Sequence, residues 1–133
     1  LCEMEQAPDL EDVKRIWLVK PEDRLKDGPS VCALDERFHE QLIEATGNSE
    51  MARIHHEITE RLRIIRRIDF TQRNRIEATY DEHAKILRTI IERRAEDAKS
   101  YLKTHIEASK AEVRKITLHM LYEAQQQQPS EQD

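Results

Sequence analysis

The sequence predicts an all-α fold, an antiparallel bundle of about five to seven helices, and three observations carry that reading. Glycine and proline, the residues that break helices, number only two and four in 133 residues. Charged residues make up 37% of the chain, and the abundant Ala, Leu, Glu, Lys and Arg lose little on entering a helix. Apolar residues recur mainly at spacings of three and four, the period of one helical face. A chain of this length buries roughly two-thirds of the surface its unfolded form exposes, so one domain with one core is expected.

Taken in order, Pro8 to Val13 reads as a helix start, with Asp9, Glu11 and Asp12 where unpaired N–H groups favour negative charge. That helix runs toward Lys20 until Pro21 stops it. Lys26 to Pro29 form a loop, and Ser30 is the expected cap of a second helix whose apolar face is Val31, Leu34, Phe38, Leu42 and Ala45. Gly47-Asn48 closes it. A third helix starts near Ser49, places Met51, Ile54, Ile58, Leu62, Ile65 and Ile68 on its inner face, and fades between Thr71 and Asn74. A fourth carries Tyr80, Ala84, Leu87 and Ile91, and a long last one carries Ala98, Leu102, Ile106, Val113, Ile116 and Met120. Between these two, Arg93-Arg94-Ala95 offers neither a glycine nor a good cap, so a break and a kink both stay open. Residues 1–123 form the bundle in this reading, and residues 124–133, with Gln125 to Gln128 and little to bury, form a disordered tail.

The net charge is −5, from 27 acidic and 22 basic residues, which gives the chain no overall attraction for nucleic acid or an anionic membrane. Arg61, Arg63, Arg66, Arg67, Arg73 and Arg75 spread around their helices and read as a solvated face. Cys2 and Cys32 are too few for a disulfide framework and read as reduced thiols, so a cytoplasmic location is expected. No apolar run approaches the roughly 20 residues that span a bilayer. The chain begins with Leu1 and not Met, as a piece of a longer protein does.

Four residues carry the chemistry. Asp35 and His39 are four apart, so they stand one above the other on one helical face, about 6 Å apart along the axis. His83 lies between Tyr80 and Ala84 on the inner face of the fourth helix, and His105 lies three after Leu102 on that of the last. Three imidazoles and one carboxylate thus face a common core. Such donors suit Zn²⁺, Ni²⁺, Mn²⁺ or Fe²⁺, with nitrogen at roughly 2.0–2.2 Å, and the lack of thiolates argues against a structural zinc knot. Each histidine taken singly also fits a hydrogen-bonded core residue; the joint occurrence favours a metal site. His55 lies near the inner face as a reserve ligand or effector contact, His56 faces water, and His119 is roughly 21 Å beyond His105 along the same helix. Arg61 shares the expected buried face of the third helix with Ile54 and Ile65, and a buried guanidinium wants an anion, whether an effector carboxylate or a structural partner.

Leu34-Asp35-Glu36-Arg37-Phe38-His39, Ala45-Thr46-Gly47-Asn48, the arginine-rich run from Arg61 to Arg67, Glu82-His83-Ala84-Lys85-Ile86-Leu87 and Lys103-Thr104-His105-Ile106 follow one another in a specific order. From Val31 to Tyr122 the chain resembles FCD, the effector-binding C-terminal domain of the FadR branch of GntR-type bacterial transcription regulators. The resemblance implies a bundle of six or seven helices, a homodimer, and a preceding winged helix-turn-helix domain, not present in this chain, through which alone DNA is bound. It implies that Asp35, His39, His83 and His105 hold the metal, Zn²⁺ foremost. Two departures stand out. The stretch before Asp35 is shorter than the helices the family places there, and Arg94 stands where the family often has an Asp that caps the last helix.

The resulting expectation is a sensor and not an enzyme: a divalent metal and a small carboxylate effector, contacted by Arg61 and His55, bias the packing of the bundle and of its dimer. A metal-dependent hydrolase is the rival, but no His-Glu-x-x-His motif or recognisable nucleophile supports it. A purely structural dimerisation bundle is the third reading, and it predicts no stoichiometric metal.

Overall fold

The computed structural model describes residues 1–127, and among them it is all helical. The elements are α1 (Glu11–Trp17), a 3-10 turn (Pro21–Asp23), α2 (Gly28–Glu44), α3 (Ser49–Asp69), α4 (Arg73–Ile91) and α5 (Ala95–Gln126). The all-α expectation holds.

Local chemistry sets the boundaries. Asp27, and not Ser30, caps α2: its carboxylate accepts from the Ser30 N–H at 3.0 Å, and the Ser30 hydroxyl donates to the same oxygen. The cap falls earlier than expected because Pro29 is well suited to a first turn, where its missing N–H costs nothing. A Cβ on Gly28 would overlap the carbonyl oxygen of Phe70, so this start of α2 lies against the end of α3 only because residue 28 has no side chain. Gly47 closes α2 at φ 75°, and the Asn48 side chain opens α3 by accepting from the Met51 N–H at 3.0 Å.

Between α4 and α5 the chain breaks and does not merely kink. Arg93 takes a left-handed φ of 58°, the Arg93 N–H bonds the Ile90 carbonyl at 3.0 Å, and the Arg94 N–H bonds the Thr89 carbonyl at 2.9 Å. These are the paired bonds of a Schellman ending, formed here without glycine. Arg94 precedes α5 with no side-chain cap. At its far end α5 runs to Gln126, past the expected end at residue 123, because glutamine extends an already formed helix readily. Residues 128–133 of the expected tail lie outside the described residues.

The four long helices close a ring in which α2 packs on α3, α3 on α5, α5 on α4 and α4 on α2. Contacts run in opposite directions along α2 and α3 (Glu36 with Arg63, Asp35 with Arg66) and along α4 and α5 (Glu82 with His105, Arg75 with Ser109), so these pairs are antiparallel. α1 lies on α4 and drives Trp17 between Phe38 and Tyr80, with ring centroids 5.6 and 4.9 Å away. Burying an indole of this kind removes roughly 150–250 Å² from water, so the short N-terminal segment is a real part of the core. Arg24 ties the following loop to α4 through Glu77 at 2.8 Å and Asp81 at 2.7 Å, with its guanidinium 5.3 Å from the Tyr80 ring centroid.

The expected inner face of α3 is wrong. Met51, Ile54, Ile58, Leu62 and Ile68 are 36–48% exposed, and Arg61 beside them is exposed too. The side turned toward α2 and α5 is instead the polar stripe His55, Thr59, Arg63, Arg66 and Asp69. The reason is charge: α2 offers Asp35 and Glu36 on the surface that α3 covers, and Arg66 and Arg63 pair with them at 2.8 and 3.0 Å. A buried carboxylate left unpaired costs more than an apolar stripe left half exposed.

Candidate metal centre

The ring of helices brings Asp35 and His39 of α2, His83 of α4 and His105 of α5 together near its axis, with one donor atom from each lying within 4.8 Å of all the others. Asp35, His83 and His105 are buried and His39 is half-buried. His83 Nε2 is 3.1 Å from Asp35 Oδ1, and His39 Nε2 is 3.2 Å from His105 Nε2. Zn²⁺ ligands at 2.0–2.2 Å sit roughly 3.3–3.6 Å from one another in a tetrahedron, so these separations are of the right size.

The proton positions follow from the partners. His39 Nδ1 lies 2.8 Å from the Asp35 backbone carbonyl, which can only accept, so Nδ1 carries the hydrogen and Nε2 keeps its lone pair. His105 Nδ1 lies 2.5 Å from the Glu82 carboxylate, which fixes the same tautomer. Two imidazole lone pairs therefore face each other across 3.2 Å, an arrangement that calls for a cation or a proton between them. Both nitrogens of His83 and Asp35 Oδ1 are buried without a well-aligned hydrogen bond, although His83 and Asp35 are close enough to attract. Orphaned buried donors and acceptors of this kind need an explanation, and a coordinated ion supplies one. The residues present fit such a group.

Electrostatics push the site the same way. Burial drives the His83 imidazole down to about 3, against the pull of Asp35, so it is neutral and able to ligate at neutral pH. Burial likewise lowers His39, outweighing Asp35. For Asp35 burial favours the neutral acid, but His83, His39 and Arg66 outweigh it and hold the carboxylate well below its ordinary range. Arg66 also reaches Asp69 at 3.1 Å, which pairs in turn with Arg75 at 3.3 Å, so a guanidinium and carboxylate chain backs the ligand oxygen. The walls are aromatic: the His83 ring stacks on Phe38 with centroids 3.7 Å apart and meets Trp17 edge-on at 4.2 Å. Beyond His39, the His55 ring lies 6.1 Å away, with Thr59 Oγ1 3.4 Å from its Nδ1.

All four sequence-predicted ligands thus converge. Arg61, expected to be buried near them, is exposed on the outer side of α3, and the guanidinium that reaches the site is Arg66. His56 and His119 are exposed and stand apart from the cluster, as expected. Sequence reasoning missed Glu82, Arg66 and Trp17. Glu82 had a signal, since it lies seven after Arg75 on one helical face and its carboxylate accepts from both His105 and Arg75. Trp17 had none, because nothing local to α1 says which helix it covers.

Comparison with protein families is specific: the FCD domain model matches residues 1–108, four-fifths of the chain. The chain belongs to the FCD domain family, and it is thereby a regulatory effector-binding domain of the GntR type. Comparison with curated proteins and with solved structures returns no match for it.

Proposed function

We propose that this FCD domain holds one divalent metal ion through Asp35, His39, His83 and His105, and uses it as the anchor for a small organic acid whose binding biases a homodimer. The observation that carries the reading is the pair of imidazole Nε2 atoms 3.2 Å apart, each with its other nitrogen engaged as a donor. Three nitrogens and one oxygen suit Zn²⁺ best among the common divalent ions, with Ni²⁺, Mn²⁺ and Fe²⁺ as alternatives. When bound, the ion supplies a positive charge for a ligand carboxylate oxygen.

The chain's own residues do the rest. Asp35 and Glu82 hold the imidazoles that face them, Arg66 keeps Asp35 ionised, and Trp17 and Phe38 keep the His83 side dry. The side toward His39 and His55 is the more open one, and His55 with Thr59 is placed to meet an anion there. Arg61, on the outer face, is withdrawn from that role. The DNA-binding part of a GntR regulator and the operator it reads belong to the same proposal. A hydrolase is not favoured, because Glu82, the carboxylate beside His105, is already committed to His105 and Arg75.

Metal analysis after purification without chelators tests this reading, alongside calorimetric titration of the stripped chain. One ion per chain is expected, lost in the His83→Ala and His105→Ala variants. Sub-stoichiometric metal, with no heat on titration by Zn²⁺, Ni²⁺ or Mn²⁺, refutes the metal reading. A thermal-shift screen of small organic acids with and without metal tests the effector, since a ligand anchored on the ion shifts the midpoint only when the ion is present.

A further inference from the structure

The outer face of α3 is unlike a solvated helix surface. Met51, Ile54, Ile58, Leu62, Ile65 and Ile68 form a continuous apolar stripe along five turns, and all but the half-buried Ile65 are more than a third exposed. Isolated exposed apolar residues need no explanation, but a contiguous row of six on one helix marks an interaction surface. The charges on the same side of α3 are segregated. Its first half presents Glu50 and Glu57, and its second half presents Arg61. Arg53 in the first half is already held by Glu50 and Glu57, while Arg61 enters no ion pair among the described residues.

A stripe that is acidic toward one end and basic toward the other complements itself when reversed. The midpoint of the stripe falls at Thr59 and Glu60, and Glu57 and Arg61 flank it one helical turn apart. We infer that two copies of this chain pair through an antiparallel α3 to α3 contact about a two-fold axis at that midpoint. Ile54, Ile58, Leu62 and Ile65 interdigitate in it, and Glu57 of each copy meets Arg61 of the other. A two-fold contact uses one patch twice, so each favourable pair occurs twice. A parallel arrangement or an unrelated acidic or basic partner would match only half of the stripe. The inference rests on the homodimer part of the proposal above but not on the metal.

The geometry has a consequence for signalling. The adjacent, inward side of the same helix carries His55, Thr59 and Arg66, each next in sequence to a residue of the stripe, so one rigid helix joins the ligand site to the subunit contact. A small rotation of α3 is then shared by both.

Sedimentation equilibrium of the 133-residue chain over a wide concentration range tests the contact. Ile58→Glu places a charge at the centre of the stripe and is expected to raise the dimer dissociation constant by roughly 100-fold or more, with unchanged helical circular dichroism because Ile58 is half exposed in the subunit. Glu57→Arg and Arg61→Glu are each expected to weaken the dimer about tenfold, and the double variant to recover most of that loss. A dimer whose dissociation constant ignores Ile58→Glu, or is disrupted instead by Leu121→Glu on the exposed end of α5, overturns this face while leaving the homodimer standing. A wild-type chain that stays monomeric at every concentration overturns both.

Discussion

Replacing Glu82 with Gln separates the metal reading from a merely structural histidine cluster. Glu82 accepts from His105 Nδ1 at 2.5 Å and touches no proposed donor atom of the ion, and its side chain is 28% exposed, so the shape of the site survives the change. What is lost is a full negative charge behind the imidazole, which makes His105 a weaker ligand. Substitutions that remove such a supporting carboxylate weaken metal affinity by about 10- to 100-fold. At a free Zn²⁺ concentration 100 times the wild-type dissociation constant, the ion adds about 2.7 kcal/mol to wild-type stability. At the same concentration the variant keeps about 1.4 kcal/mol for a tenfold loss and about 0.4 kcal/mol for a 100-fold loss. For a domain of this size 1 kcal/mol moves the melting midpoint by roughly 3–6 °C, so the metal-induced shift should fall from over 8 °C to a few degrees. Differential scanning fluorimetry of the stripped and loaded proteins reads it directly. An unchanged metal-induced shift in Glu82→Gln would refute the role of Glu82, and equal midpoints with and without metal in the wild type would refute the site.

Three further outcomes follow from the structure. Arg66→Ala leaves two buried carboxylates, Asp35 and Asp69, short of a partner and should cost about 3–5 kcal/mol in urea unfolding, whereas Arg61→Ala should change subunit stability by less than about 0.5 kcal/mol; equal effects would contradict the placement of α3. His83 and His39 are both held neutral by burial, so the unfolded chain binds more protons below its ordinary histidine value near 6.5, and metal-free stability should fall as pH drops from 7 toward 4, with Asp35 adding to the loss below about 4. A flat melting midpoint across that window is the contrary result. Arg93→Gly removes a left-handed side-chain residue from the α4 ending and should raise stability by about 0.5–1 kcal/mol despite losing the Arg93 bond to the Cys2 carbonyl, while Gly28→Ala should lower it by about 1–3 kcal/mol through overlap with Phe70, both read from chemical denaturation midpoints.

The helices and the four inward side chains were legible in the sequence because both depend on local spacing. The αL glycine at Gly47 and the four-residue step from Asp35 to His39 are set by a few bonds along one chain, whereas Asn48, read with Gly47 as the close of α2, caps the start of α3 instead. The ending of α4 was not legible in this way, since Arg93 reaches its left-handed conformation without the glycine that advertises it. Nor was the orientation of α3. Its periodicity locates an apolar stripe but is silent on which neighbour that stripe meets, and Asp35 and Glu36 of α2 turn the polar stripe inward by offering its arginines a partner.

By itself, then, the sequence determined the fold class, most helix boundaries and which imidazoles lie on apolar faces, since each follows from periods of three and four residues and from capping groups next to the turns they satisfy. Only the tertiary structure decided that His39 and His105 face each other, that Glu82 and Arg66 stand behind the ligands, that Trp17 covers His83, and that Arg61 looks away from the site. Those facts depend on the order in which helices neighbour one another around the ring. That order is set by the pairing of charges and the filling of volume between segments far apart in the chain, which no local pattern records.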